Sequence, residues 1–240
     1  MYEFWNFCWK RYVFSFSFTD RRLPKAVAVY SLNSLYQTRD ITGQNPNGVK
    51  VGIRSAIGPW KRVGGAFEFK GSRNSYIEFP NHGKLDTKRS MTLCAWIYPV
   101  GKPGPIFNYK KNGWGVHFWV TGKRQLFVRF VRRSGAFTPY LARNVLYPGR
   151  WNFVCASYNY KSGIAKLWKN SRTVQSKHLG RFKLATNYSA RMGARIGDRR
   201  YFAGRISCMQ VYSTALNNYQ ILKAKRLCYK KPTVKPTKRT

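Results

Sequence analysis

Two short stretches, Ser90-Met-Thr-Leu-Cys94-Ala-Trp96-Ile-Tyr-Pro99 and Arg150-Trp151-Asn-Phe-Val-Cys155-Ala-Ser157-Tyr158, constrain the fold more than any other part of the chain. Each reads as a β-strand with a cysteine on its inward face and a tryptophan close by, which suggests two strands pinned together through a core. Similar short runs recur on both sides, separated by turn residues: Ala66 to Phe69, Tyr76 to Phe79, Ile106 to Tyr109, Gly115 to Val120, Gln125 to Arg132, Ile164 to Trp168, Ala190 to Ile196 and Gly204 to Tyr212. About ten strands at such spacing predict an all-β, two-sheet antiparallel sandwich of the jelly-roll kind. Val27 to Leu35 reads as a first strand ahead of them. Aromatic residues make up 17% of the chain and alternate with polar ones rather than following a 3.6-residue period, so helix is expected to be scarce. One short C-terminal helix is predicted from Thr214 to Leu227, closed by Cys228.

In Gln125-Leu-Phe-Val-Arg129-Phe-Val-Arg132-Arg133, period-2 alternation places Leu126, Val128 and Phe130 on one face and Phe127, Arg129, Val131 and Arg133 on the other. Arginines thus line part of one sheet face. Ile164, Lys166 and Trp168 share a face that is mixed and solvent-reachable. Asn159-Tyr-Lys-Ser-Gly163 and Lys169-Asn170-Ser171 predict hairpin turns, and the stretch from Thr38 to Gly48 is dense enough in turn formers to be a loop with a functional role open to it. With 240 residues the chain is expected to hold one domain. The divisions are a poorly specified segment at 1–24, the jelly roll at 25–228 and a basic, proline-broken tail at 229–240 that is expected to be disordered.

Lysine and arginine number 45 against 7 aspartate and glutamate, a formal charge of +38 that attracts polyanions over long range. A generally basic surface and a dedicated polyanion-binding face are both consistent with it. The five cysteines show no C-x-x-C spacing, and His82, His117 and His178 lie far apart, which argues against a zinc site. Four cysteines fall in the regular region and Cys8 in the odd N-terminal segment, which suits two disulfides plus a leftover thiol and implies an oxidising, secreted or extracellular setting. No run of about 18 apolar residues is present. The first 20 residues lack the basic start, apolar centre and small-residue cleavage site of a signal peptide, so a truncated or misassigned start is expected. Asn187-Tyr-Ser189 is an N-glycosylation sequon between strands.

Gly65-Ala-Phe-Glu-Phe-Lys-Gly71-Ser-Arg-Asn-Ser-Tyr76-Ile-Glu78, the two cysteine strands, Gly163 to Asn170 and Gly204 to Leu216 together resemble the laminin G-like jelly rolls of the concanavalin A-like lectin/glucanase superfamily, closest to their pentraxin branch. The resemblance covers about residues 26 to 222. It implies a disulfide between Cys94 and Cys155, and the remaining pair in the regular region is Cys208 and Cys228. Pentraxins hold paired calcium ions through an Asp-Asn pair in an early loop and a Glu-Gln-Asp cluster in a later one. Here the early loop reads Tyr109-Lys110-Lys111-Asn112-Gly and the later one Met192-Gly-Ala-Arg195-Ile-Gly-Asp198-Arg199-Arg200. Asn112 and Asp198 alone could match, so a two-calcium site is not expected and a single calcium ion is the most these residues could hold. Lys110, Lys111, Arg195, Arg199 and Arg200 are expected at one edge, contacting sulfate, phosphate or carboxylate directly or forming a solvated basic rim.

The same superfamily includes glycoside hydrolases. Retaining hydrolysis needs two carboxylates about 5 Å apart, whereas Glu68, Glu78, Asp86 and Asp198 are each isolated in sequence, and no serine or cysteine nucleophile has a recognisable histidine partner. A non-enzymatic binding module is therefore expected. Trp114 and Trp119, flanking His117, and Tyr201-Phe202 are candidate sugar platforms; Trp114 could be surface or core, Trp119 is expected in the core, and Trp96, Trp151 and Trp168 in or near it. The expected partners are anionic or sulfated glycans, with adhesion to cell-surface or matrix proteins, or nonspecific polyanion binding, as alternatives. Nucleic acid is not an expected physiological partner, since no recognised nucleic-acid module is present.

Overall fold

The computed structural model describes residues 20–229. Cys8, most of the 1–24 segment and nearly all of the 229–240 tail lie outside them. Among the described residues fifteen strands run in chain order: β1 (Ala28–Tyr30), β2 (Val49–Val51), β3 (Arg54–Ala56), β4 (Ala66–Lys70), β5 (Tyr76–Phe79), β6 (Met91–Pro99), β7 (Gly104–Tyr109) and β8 (His117–Thr121). There follow β9 (Gln125–Arg129), β10 (Leu141–Asn144), β11 (Asn152–Asn159), β12 (Ile164–Lys169), β13 (Arg172–His178), β14 (Ala190–Met192) and β15 (Ala203–Tyr212). The first sheet has the order β13-β12-β11-β6-β15-β4-β3, with β1 also paired to β15, and the second has the order β10-β9-β8-β7-β14-β5-β2. Every pairing is antiparallel. Four strands went unread in the sequence, namely β2, β3, β10 and β13, and they are the two edges of each sheet.

The intersheet core is built by alternation. Met91, Leu93, Ala95 and Ile97 of β6 and Val154, Ala156 and Tyr158 of β11 point into it, where they meet Phe118 and Val120 of β8 and Leu126 and Val128 of β9. The opposite phase of β6 and β11 carries the cysteines. Cys94 and Cys155 stand directly opposite each other in register, Cα atoms 4.2 Å apart, and are disulfide-bonded. They do not face the space between the sheets, as the sequence reading supposed. They lie on the outer face of the first sheet, in a second core with Trp96, Phe153, Trp168, Tyr212 and Leu216. A period-2 pattern fixes which residues share a face but not which face is inner, and here both faces of the strands are buried.

That second core is roofed by the C-terminal segment. The helix, α1, is shorter than predicted and spans Asn218–Ala224. Asn217 caps it: its side chain accepts from the Gln220 amide while the Gln220 side chain accepts from the Asn217 amide. The residues before it are spent on the sheet, with Thr92 Oγ1 donating to the Thr214 carbonyl and accepting from the Leu216 amide. After it, a 3₁₀ turn at Leu227–Tyr229 brings Cys228 to Cys208, to which it is bonded. Cys208 has φ of 53° at a register shift in β15, where that strand passes from β4 to β1 as its outer neighbour. The 38–48 loop is ordered from within: Asp40 accepts from the amides of Val29, Thr42 and Asn45 and from the side chains of Thr42 and Asn45. The predicted hairpins are present, and Asn170 and Ser171 both take positive φ, as a type I′ turn demands. No helix among the described residues is long and apolar enough to cross a membrane.

Candidate functional site

The second sheet turns His117, Trp119 and Thr121 of β8 and Gln125, Phe127 and Arg129 of β9 away from the core. In register these form three facing pairs: His117 with Arg129, Trp119 with Phe127, and Thr121 with Gln125. The loop between β7 and β8 brings Trp114 up beside them, half exposed, which settles it as a surface ring. The rings of Trp114, His117, Phe127 and Tyr140 follow one another at centroid spacings of 5.0, 5.6 and 5.1 Å. Trp119 is buried, but on the outward face of β8 beneath Arg200 and not in the core as expected, and its indole N–H donates to Asn108 Oδ1 at 3.0 Å.

Three arginines lie over this run of rings. The guanidinium carbon of Arg195 is 4.3 Å from the Trp114 ring, that of Arg200 is 4.5 Å from Trp119, and that of Arg129 is 4.6 Å from Phe137 and 5.5 Å from Tyr140. Arg195 and Arg200 come from the loop between β14 and β15. That loop is tied to the β7–β8 loop by the Ile196 amide donating to the Lys111 carbonyl at 2.8 Å and by Arg195 donating to the Gly113 carbonyl at 3.2 Å. Two adjoining hollows result. One of about 170 Å³ is walled by Trp114, His117, Trp119, Phe127, Arg129 and Arg200. The other, of about 260 Å³, lies between Trp114, Arg129 and the 135–138 turn, where Phe137 is exposed.

Among the titrating groups displaced here, His117 and Asp198 move furthest. Burial, with Arg129, Arg195 and Arg200 close by, pushes the His117 imidazole down to about 4. A neutral ring whose Nδ1 sits 2.8 Å from the Gly115 carbonyl must carry its proton on Nδ1, since a carbonyl only accepts; Nε2 is then an acceptor. Burial raises Asp198, but hydrogen bonds from the Arg200 side chain and amide and from Arg195 outweigh it and hold the carboxyl well below the usual range.

Asp198 therefore does not fit a calcium ion. Both of its oxygens already accept from guanidinium groups, and no cluster of three acidic, histidine or cysteine side chains exists among the described residues. Asn112 is exposed on the neighbouring loop. The basic residues predicted at this edge divide. Arg195 and Arg200 converge on the rings. Arg199 and Tyr201 line a separate hollow of about 200 Å³ with Lys102, joined to the first through Arg200. Lys110 sits 5.2 Å over the Tyr188 ring, and Lys111 is drawn off to Glu78, 2.9 Å away. Phe202 is fully buried and is no sugar platform. Asn187 is exposed, as a glycosylation acceptor must be.

Arg129, Phe127, Phe137 and Tyr140 were not singled out from the sequence. Alternation placed Arg129 and Phe127 on one shared face, but only the pairing of β9 with β8 shows that face to be outward and brings it to Trp114. A larger hollow, of about 610 Å³, lies on the outer face of the other sheet between Lys166, Trp168 and the turn ahead of α1. Its walls are mostly serine, threonine and asparagine, and size alone does not make it the better site.

Residues 70–222 match the laminin G family model described as Concanavalin A-like lectin/glucanases superfamily. A comparison with curated protein sequences returned no significant match. Among solved structures, the botulinum neurotoxin serotype G binding domain is similar over 85% of this chain and 51% of its own, with 12% identity and a TM-score of 0.68. Domain 4 of AbnA, a GH43 extracellular arabinanase from Geobacillus stearothermophilus solved with arabinotriose, is similar over 83% of this chain and 98% of its own, with 20% identity and a TM-score of 0.63. The serotype D botulinum domain in complex with N-acetylneuraminic acid covers 82% of this chain and 50% of its own, at 16% identity and a TM-score of 0.60. The chain spans about half the length of these toxin domains.

Proposed function

The chain belongs to the Concanavalin A-like lectin/glucanases superfamily, and from that premise we propose that it is a non-enzymatic extracellular module that binds anionic glycans through the arginine-and-ring face of its second sheet. The observation that carries this is the convergence of Arg129, Arg195 and Arg200 on the run of rings from Trp114 to Tyr140. Rings offer flat apolar faces to the C–H faces of sugars, and guanidinium forks suit carboxylate and sulfate. The similarity to domains solved with arabinotriose and with N-acetylneuraminic acid supports a saccharide over a protein partner. The disulfides suit an oxidising compartment. The Cys94–Cys155 bond agrees with the resemblance to pentraxins, a branch the family match itself does not reach, and the loops matching the pentraxin calcium site offer no calcium donor set among the described residues.

Hydrolysis is disfavoured by the state of the acids. Glu68 is paired with Arg54, Glu78 with Lys111 and Arg191, Asp86 with Arg133, and Asp198 with Arg195 and Arg200, and no two of them share a partner. A glycan array run with and without EDTA at two salt concentrations tests the reading. Acidic glycans should bind, EDTA should change nothing, and replacing Arg129, Arg195 and Arg200 together by alanine should abolish acidic-glycan binding on the array. Binding that survives this threefold replacement would sink the proposed role of this face.

A further inference from the structure

We propose that Arg129 reads the acid group of a single terminal sugar, so that the ligand is an oxyanion-bearing monosaccharide unit at a chain end rather than the interior of a polyanion. This deepens the glycan-binding reading and rests on it. Among the described residues, Arg129 forms no ion pair, whereas Arg195 and Arg200 share Asp198. It is not a freely solvated surface arginine either. It is half-buried, and its Nε is buried with no hydrogen-bond partner among the described residues. Phe137, Tyr140 and Phe127 surround the guanidinium, at 4.6, 5.5 and 5.8 Å. Rings offset part of the cost of burying its charge but cannot accept its N–H bonds in the plane of the fork, which a carboxylate or sulfate does.

The size of the recess selects a terminal unit. Arg129 lines both adjoining hollows, of about 170 and 260 Å³, which together lie at the small end of the roughly 300–1,000 Å³ range of ligand sites. The groups beside Arg129 suit the rest of a sugar ring. His117, directly across the ladder, presents Nε2 as an acceptor for a hydroxyl. Trp114 and Phe137 are exposed and offer faces for stacking. One donor fork, one acceptor and two rings form a set that a bare phosphate or sulfate ion would leave mostly unused.

The full chain is titrated with the methyl glycosides of N-acetylneuraminic acid, glucuronic acid, galactose 6-sulfate and galactose, by calorimetry and by the arginine Nε–H signals in NMR. At least one acidic glycoside should bind and shift the Arg129 signal, and the choice among them separates carboxylate from sulfate. Arg129→Gln should weaken that glycoside about ten- to a hundredfold, the size of a lost charge-assisted contact. Arg129→Lys should restore only part of it, and galactose should be unaffected by either change. An unshifted Nε–H signal in the native protein during saturable binding would overturn the assignment even where a variant fails to fold. If Arg129→Gln keeps its affinity while Trp114→Ala abolishes it, the inference falls and the glycan reading stands. If no glycoside binds but heparin does, the terminal-sugar reading falls; if neither binds, both fall.

Discussion

His117 carries a consequence of burial that can be measured directly. Its pKa falls from an ordinary 6.5 to about 4, so between those values the unfolded chain binds a proton that the folded chain does not. The His117 contribution to stability should therefore decline as pH drops from about 6.5 towards about 4, by up to about 3 kcal/mol, and change no further below. His117→Phe should flatten that part of the curve in urea melts taken across pH, and the native imidazole should still be neutral at pH 5 in NMR. Asp198 works in the opposite sense. Its carboxyl is held low, so its contribution is complete above the ordinary carboxylate range and is lost only in stronger acid. Asp40, Glu68 and Glu78 are held low by their hydrogen bonds as well, so the loss on the acid side of the His117 window is shared among several carboxyls and is no single Asp198 step. Neither the His117 shift nor the Asp198 shift was legible in the sequence. Asp198 stood out as a lone carboxylate among arginines, but that those arginines close on it, displacing any cation, is a matter of loop geometry.

The strands that sequence reasoning found and those it missed separate by position in the sheet. Interior strands such as β6 and β11 are buried on both faces, and their runs of apolar residues announce them. The four edge strands are short or polar: β13 reads Arg-Thr-Val-Gln-Ser-Lys-His and β10 reads Leu-Ala-Arg-Asn. Edges are kept charged and short against unwanted pairing, and that same composition erases their signal. The helix was legible in existence but not in length, because Thr92 claims the residues ahead of it and the Cys208 bond claims those after. That bond closes a loop worth about 3 kcal/mol in chain entropy. Replacing Cys208 and Cys228 together by alanine should lower stability by about that much. Hydrogen exchange should show the α1 amides losing protection first, ahead of β6 and β11. Asn217→Ala should cost about 1 kcal/mol through the lost cap, seen as a lower urea midpoint at unchanged slope.

Across the whole molecule, acids are few and already engaged. Of seven, six lie among the described residues, five are paired with basic side chains, and Asp40 is occupied by loop donors. The excess of cations is thus left to the surface, and its field extends about a Debye length, ~8 Å at physiological salt. Two kinds of binding follow, distinguishable by salt. Heparin retention should fall steeply with sodium chloride, whereas a monosaccharide held in the Arg129 recess should lose only a fewfold between 50 and 300 mM salt, about the range over which screening acts on exposed charges. The +38 charge was plain from composition and pointed to polyanions in general. What composition could not show is that a few of those cations are set among rings.

Residues 20 and 229 lie on the same side of the sandwich. Gln220 at the start of α1 donates to the carbonyls of Asp20 and Arg22, and Tyr229 packs into the second core beside that helix. The arginine-and-ring face belongs to the other sheet and looks the opposite way. A support attached through the side chain of residue 20 or residue 229 would hold the sandwich by its rear and leave the recess facing outward, towards an opposing surface.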